Sequence, residues 1–179
     1  KADALNVGIN LSGKEFFCGI DADCLLEKDS LIKLASTILD APEEPVAVGG
    51  NIFPVNGCSV DRGELTHIGL PASHLARFQT IEYLRAFMAG RLGWAHINSL
   101  LIISGAFGLF NKDRVVEIGG YLTSSERHKK DTVGEDMELV VRLRRHMCEQ
   151  NKPHSILYAF NANCWTEVPE PLSILHRQR

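Results

Sequence analysis

The chain has 179 residues, of which 45% are hydrophobic and 23% are charged, and this composition excludes disorder over most of its length. The 19 Lys and Arg residues against 22 Asp and Glu residues give a net charge of −3. No nucleic-acid partner is expected, since phosphate binding needs a cationic face. Five cysteines, an odd number without a C-x-x-C pair, indicate reduced thiols in a cytosolic compartment.

Apolar runs and helical spacing alternate along the chain and predict an α/β fold with a mainly parallel central sheet flanked by helices. Buried strands are predicted at residues 16–20, 46–52, 106–110 and 155–160, and helices at residues 30–40, 79–92, 113–118 and 135–149. Gly49-Gly50 predicts a bulge or a close backbone approach, and Gly119-Gly120 closes the third helix. Residues 54–64 are turn-rich, and the polar residues 123–133 predict a mobile loop.

An uncharged stretch from Leu92 to Asn111 is long enough to span a bilayer, but polar residues and glycines interrupt it. A buried helix-to-strand segment is therefore predicted instead. On the preceding helix, Arg85 and Arg91 accompany Phe87 and Met88. These residues could meet headgroups at a membrane surface, or they could pack against neighbouring transmembrane segments of a longer protein.

Two acidic residues, Asp21 and Asp23, follow the first predicted strand. Ligands of open α/β sheets bind outside the carboxyl ends of strands, which is where this pair stands. Carboxylate oxygens are preferred by Mg²⁺ and Mn²⁺, and such an ion can bridge to a diphosphate. The alternative is an Asp-rich turn without a ligand, because Asp also favours turns.

A second acidic pair begins the helix predicted at residues 135–149. Asp136 precedes Leu139 and Val140 by three and four residues, so it falls on the inward face of the helix. It also lies in the first turn, where the helix dipole favours an anion. Asp136 is therefore a candidate general base, the alternative being a capping acid, whereas Glu135 points nearer the edge of the apolar stripe.

Seven short motifs follow one another at residues 1–6 (KADALN), 21–23 (DAD), 104–107 (SGAF), 119–121 (GGY), 134–136 (GED), 166–169 (TEVP) and 178–179 (QR). In this order they resemble the processive glycosyltransferases of family 2, a group that includes cellulose, hyaluronan and poly-N-acetylglucosamine synthases. The resemblance covers essentially the whole chain. It implies the GT-A fold, a nucleotide-sugar donor and an inverting transfer.

The resemblance also implies which residues bind the donor. Asp21 and Asp23 match the family's D-x-D motif, which holds the divalent metal, Mg²⁺ or Mn²⁺, and the donor diphosphate. Lys1 falls in the segment that leads into the donor site. In the polar loop, Lys129 and Lys130 could approach a diphosphate or could form a solvated loop face.

On the acceptor side, Asp136 matches the family's catalytic base, and Glu135 would lie beside the acceptor. Gln178 and Arg179 match the beginning of the family's Q-x-x-R-W motif and would bind the acceptor as well. The family's Arg and Trp of that motif, its first strand and its acidic uridine-site residue have no counterpart here. The resemblance thus implies that residues 1–179 are one partial catalytic domain, truncated at both ends and inactive alone.

The predicted function is the transfer of a sugar from UDP-glucose or UDP-N-acetylglucosamine to a growing polysaccharide or glycan acceptor of the cell envelope. By resemblance, the parent protein would lie at the cytoplasmic face of the cell's inner membrane, attached through flanking segments, and the chain itself would be soluble. Two alternatives remain open. One is a metal-dependent phosphoryl-transfer or phosphohydrolase domain that uses the same Asp pair, and the other is a non-catalytic glycosyltransferase-like interaction module.

Overall fold

A computed structural model of the chain describes residues 1–123 and 134–177 in full and the backbone of residue 178. The polar loop at 124–133, with Lys129 and Lys130, lies outside the described residues, as does Arg179. The predicted mobility of that loop therefore stays a prediction. None of the described helices is both long and apolar enough to cross a membrane.

Seven strands are found in the described residues: β1 Phe16–Ile20, β2 Leu25–Leu26, β3 Pro45–Pro54, β4 Ser59–Asp61, β5 Glu64–His67, β6 Phe107–Asn111 and β7 Ser155–Thr166. The helices of the same residues are α1 Ala2–Leu11, α2 Ser30–Leu39, α3 His74–Tyr83, α4 Leu92–His96, α5 Lys112–Glu117, α6 Glu135–Glu149 and α7 Leu172–Gln178. A π-helical segment, Leu84–Arg91, joins α3 to α4. The four predicted helices and the four predicted strands are all present.

The main sheet has the strand order β1-β6-β3-β7-β2 and is mixed, so the prediction of a mainly parallel sheet is wrong. Among the described strands, β3 and β7 alone pair in parallel, whereas β6 runs antiparallel to both β1 and β3, and β2 runs antiparallel to β7. The physical reason is that an apolar run indicates burial on both faces but carries no information on strand direction. The prediction of an α/β fold is confirmed, and β4 and β5 form a separate hairpin.

The core lies between the sheet and the helices packed against it. The predicted apolar stripe of α6 is buried in this core, at Leu139, Val140, Leu143 and Met147. The pairing of β3 with β7 shifts register between Gly50 and Asn51, which confirms the irregularity predicted for the glycine pair. Asn51 is also part of a buried polar contact, since the Tyr158 hydroxyl donates a hydrogen bond of 2.6 Å to Asn51 Oδ1.

After α5 the chain reverses at Gly119 and Gly120, which have φ values of +86° and +73°. Such backbone conformations strain residues with a Cβ, so the predicted glycine ending of this helix is confirmed. The side chain of Asn6 on α1 then brackets Tyr121: Asn6 Nδ2 donates to the carbonyl O of Tyr121, and the Tyr121 N–H donates to Asn6 Oδ1, both at 2.8 Å. These two bonds fix α1 against the segment that follows the glycine turn.

Candidate active site

The candidate site lies at one end of the strands of the main sheet, where β1, β3 and β7 end and β6 begins. Because β6 runs antiparallel to β1, Ile20 pairs with Phe107. The next residue, Asp21, donates its backbone N–H to the carbonyl O of Ala106 at 3.4 Å. The residues just before β6, including Gly105, are thereby brought beside the acidic end of β1.

A lysine joins two of the predicted acidic residues at this end of the strands. Lys1 Nζ lies 2.5 Å from Asp21 Oδ1 and 3.9 Å from Glu135 Oε1. Their side chains are between 30% and 42% exposed, so the cluster is open to solvent and to ligands. Burial lowers the pKa of Lys1, but the hydrogen bond to Asp21 and the surrounding carboxylates outweigh that effect and raise the pKa. Lys1 therefore stays a cation at neutral pH.

Asp136 is held by the main chain. Its Oδ2 accepts a hydrogen bond of 2.7 Å from the backbone N–H of Gly105, at the start of the β6 segment. A Cβ atom at Gly105 would collide with the Asp136 carboxylate, so the close approach requires glycine at that position. Asp136 lies in the first turn of α6, after the N-cap residue Gly134, as predicted. The structure thus gives this carboxylate a fixed orientation.

Tyr121 lies beneath the acidic cluster and was not predicted as a site residue. Burial raises the pKa of its phenol, and the nearby charges of Asp136, Glu135 and Asp21 raise it further. The phenol therefore stays protonated at neutral pH and remains a hydrogen-bond donor. A signal was present in the sequence, since Tyr121 follows the glycine pair in one of the seven motifs.

The carboxylates at the end of β1 have the chemistry that Mg²⁺ or Mn²⁺ requires, namely oxygen donors with free capacity. Asp23 is exposed, and among the described residues it accepts only a weak contact from Cys24 Sγ, at 3.9 Å. The described residues contain no group of three or more His, Cys, Asp or Glu side chains placed to hold a metal. The oxygen donors of Asp21 and Asp23 suit a hard cation, but these two side chains alone are too few to hold one, so their role as metal ligands stays a prediction.

The predicted acceptor residues are only partly visible. Glu135 lies in the cluster, 3.9 Å from Lys1 Nζ. Gln178 ends α7, with only its backbone described, and Arg179 lies outside the described residues. The structure therefore brings together Lys1, Asp21, Glu135 and Asp136, whereas the acceptor roles of Gln178 and Arg179 stay predictions.

The chain is similar over its whole length to curated bacterial proteins. It is 29% identical over 179 residues to the poly-β-1,6-N-acetyl-D-glucosamine synthases of Staphylococcus aureus strains COL and MSSA476. It is 28% identical over 179 residues to the protein of the same name from Staphylococcus epidermidis. In each comparison the chain spans 37% of the length of the relative. No protein-family model matches the chain.

Taken together, the described residues form a solvent-accessible acidic cluster that contains the Lys1 ammonium and the oriented carboxylate of Asp136. The Lys1 ammonium can contact an anionic, oxygen-rich group such as a diphosphate, whereas the carboxylates at the end of β1 can contact such a group only through a bridging cation. A carboxylate whose second oxygen is fixed by a backbone N–H can accept a proton from one direction. The arrangement therefore offers a cation for an anionic group and, beside it, an oriented carboxylate with the chemistry of a proton acceptor.

Proposed function

We propose that the chain is part of an inverting glycosyltransferase that moves a sugar from a nucleotide-sugar donor to a growing glycan. The observation that carries the proposal is the oriented Asp136 carboxylate beside the Lys1–Asp21–Glu135 cluster. The similarity to poly-β-1,6-N-acetyl-D-glucosamine synthases supports it, since such a polymer is made by joining sugars through glycosidic bonds. UDP-N-acetylglucosamine is the donor we favour on that similarity, with UDP-glucose as the second choice.

Asp136 is the proposed general base. An acceptor hydroxyl oxygen attacks the anomeric carbon of the donor, and its proton passes to the carboxylate of Asp136. The new carbon–oxygen bond forms as the bond between the anomeric carbon and the diphosphate breaks, and the electron pair leaves with the diphosphate. Attack from the face opposite the leaving group inverts the anomeric carbon. Orientation by the Gly105 N–H keeps the free oxygen of Asp136 turned to one acceptor hydroxyl.

Lys1, Asp21 and Asp23 are the proposed donor-binding residues, and Glu135, Gln178 and Arg179 the proposed acceptor-binding residues. The Lys1 ammonium lies close enough to Asp21 to contact a diphosphate bound at the end of β1. Asp21 and Asp23 would hold Mg²⁺ or Mn²⁺. Such an ion, when bound, supplies positive charge that neutralises the nucleoside diphosphate.

The proposal also covers the domain to which the site belongs and the location of the longer protein. We propose that residues 1–179 form one partial catalytic domain of glycosyltransferase family 2, with the GT-A fold. Because the chain spans 37% of the length of its relatives, we expect activity to require a longer protein. That protein would act at the cytoplasmic face of the cell membrane, in polysaccharide biosynthesis.

The test is a product assay on the complete protein that carries this chain. We expect incubation with UDP-N-acetylglucosamine and Mn²⁺ to release UDP and to form a β-linked oligosaccharide, detected by mass spectrometry and by digestion with a linkage-specific glycosidase. Release of inorganic phosphate without a glycoside would indicate a phosphohydrolase instead. Binding of UDP without any turnover would indicate an interaction module. Either result contradicts the proposal.

A further inference from the structure

A cavity of about 540 Å³ lies between the helical segment that runs from α3 to α4 and helix α6. Its wall is formed by Arg85, Arg91 and Trp94 on the first segment, by residues 99–102 before β6 and by Arg144 on α6. Asp136 and Arg144 are eight residues apart on α6, which places them about 12 Å apart along the helix axis. Arg144 thus lies away from the acidic cluster, whereas Arg91, on the opposite wall, is close enough to Asp136 for that carboxylate to raise its pKa against the larger effect of burial.

Arg85, Arg91 and Arg144 line this cavity, and the carboxylate of Asp136 acts on Arg91 through space rather than in an ion pair. No ion pair among the described residues includes Arg85, Arg91 or Arg144. Burial lowers the pKa of Arg91 and of Arg144, which means that their charged forms are less well solvated than in water. Arg91 is placed over the ring of Phe87, 3.7 Å from its centroid. An anion in the cavity would supply the missing counter-charge.

The guanidinium group of Arg144 is only partly hydrogen-bonded. One of its terminal nitrogens donates to Asn98 Oδ1 and to the carbonyl O of Leu100, both at 3.3 Å. Its Nε is buried and has no hydrogen-bond partner among the described residues. A buried donor left unpaired is costly, so an acceptor supplied by a ligand would stabilise the site.

Apart from the arginines and Ser99, the side chains that line the cavity are apolar. Trp94 is 58% exposed and Leu101 is 47% exposed, although both line the cavity. Met88 and Leu92, on the same helical segment, are exposed as well. Arginines beside an exposed tryptophan and aliphatic side chains are the combination that binds a charged headgroup and an acyl chain together. A small soluble anion would leave this apolar surface uncovered.

We propose that the cavity binds an anionic phospholipid, with the lipid phosphate on Arg85, Arg91 and Arg144 and the acyl chain against Trp94 and Leu101. The charge complementarity selects a lipid with a net negative headgroup over a zwitterionic one. The site would bring the protein to the surface of a membrane that contains anionic lipid, whether or not the acidic cluster transfers sugars.

The test uses vesicles that contain phosphatidylglycerol in phosphatidylcholine, with pure phosphatidylcholine vesicles as the comparison. Residues 1–179 contain two tryptophans, and because the second, Trp165, is buried, the emission of Trp94 reports contact of this chain with lipid. We expect a blue shift of tryptophan emission and co-sedimentation with the anionic vesicles only. The shift should be absent in Trp94→Phe.

Charge variants decide whether the cavity itself is the site. Arg85 is exposed, so Arg85→Gln should fold normally, and we expect it to lower vesicle affinity about fivefold, as should Arg91→Gln. The matched control is Arg145→Gln, which removes the same charge from an exposed position of α6 that pairs with Glu149. The control should bind like the unaltered protein.

Three results would overturn the proposal. Equal binding to pure phosphatidylcholine would mean that apolar contact alone attracts the protein. An equal loss of affinity in Arg85→Gln and Arg145→Gln would mean a diffuse surface effect rather than a site. Displacement of the vesicles by millimolar inorganic phosphate, compared with the same ionic strength of chloride, would mean that free phosphate is the ligand.

Discussion

The two halves of the candidate active site are built differently. Asp136 is oriented by a main-chain N–H and lies against a glycine that leaves no space for another side chain. Among the described residues, the carboxylates of Asp21 and Asp23 are contacted by side chains instead, namely a flexible lysine and a weakly donating thiol. The difference suits the proposed division of labour, because a proton acceptor must have one orientation, whereas groups that close around a diphosphate must adjust to it.

The largest expected effect comes from removing the oriented carboxylate. Asp136→Asn keeps the shape and the hydrogen bond to Gly105 but cannot take a proton, so we expect the turnover of the complete protein to fall by about 10²–10⁴-fold. Its affinity for UDP and Mn²⁺, measured by calorimetry, should stay within a few-fold. Normal turnover in this variant, or a loss of donor binding like that expected for Asp23→Asn, would show that the roles are assigned wrongly.

The next effect tests whether the orientation matters in itself. Gly105→Ala places a methyl group where the Asp136 carboxylate lies, so the carboxylate must rotate away. We expect a loss of kcat of about 10–100-fold, given the cost of small misplacements of catalytic groups.

Two controls sharpen this prediction. The double variant Gly105→Ala with Asp136→Asn should be no slower than Asp136→Asn, since the two changes remove the same function. Gly93→Ala in α4 meets no atom within 4 Å and should leave turnover unchanged. Additive losses in the double variant would mean that Gly105 acts in some other way than through Asp136.

Substitution of Asp21 or Asp23 should weaken the binding of the donor rather than slow its turnover. We expect Asp23→Asn to weaken the Mn²⁺-dependent binding of UDP by about tenfold or more, since even the outer partners of metal ligands are typically worth about 10–100-fold. Asp29→Asn removes a carboxylate that pairs with Lys33 at 3.0 Å, outside the site, and serves as the control. Calorimetry that gives equal UDP affinities for the Asp23→Asn variant and the unaltered protein would remove Asp23 from the metal site.

The sequence predicts helix α6 and the place of Asp136 on it, but not the contact that orients the Asp136 carboxylate. Helix α6 was predicted with its observed bounds because four apolar residues repeat at helical spacing after Gly134. The same periodicity placed Asp136 on the inward face. The contact with Gly105, however, joins residues 31 positions apart and depends on the direction of β6, which an apolar run does not encode.

Other elements were missed for local reasons. Helix α1 mixes Gly8 and polar residues with weak amphipathicity, and its place in the fold depends on the distant bonds between Asn6 and Tyr121. Strand β7 was predicted to end at residue 160 but continues to Thr166. The polar Asn161 and Asn163 break the apolar run there, yet the side chain of Asn163 donates to Glu27 and its backbone N–H donates to Ser30 Oγ. In both places hydrogen bonds to residues distant in the sequence stabilise the element, and a prediction from local apolar patterns does not detect such bonds.

The smallest expected effect concerns Lys1. Because Lys1 and Asp21 are 42% and 36% exposed, Lys1→Met should lower the free energy of unfolding by only about 0–1 kcal/mol, and less at high salt. The pKa of Lys1 is raised above its ordinary value of 10.5, so this contribution is fully present below about pH 10 and is lost as the pH rises through the raised pKa. Urea unfolding at several salt concentrations and pH values measures it, with Lys33→Met as the control for another exposed pair. A cost of several kcal/mol that is insensitive to salt would mean that Lys1 is as rigidly placed as Asp136, and the contrast between the two halves of the site would no longer hold.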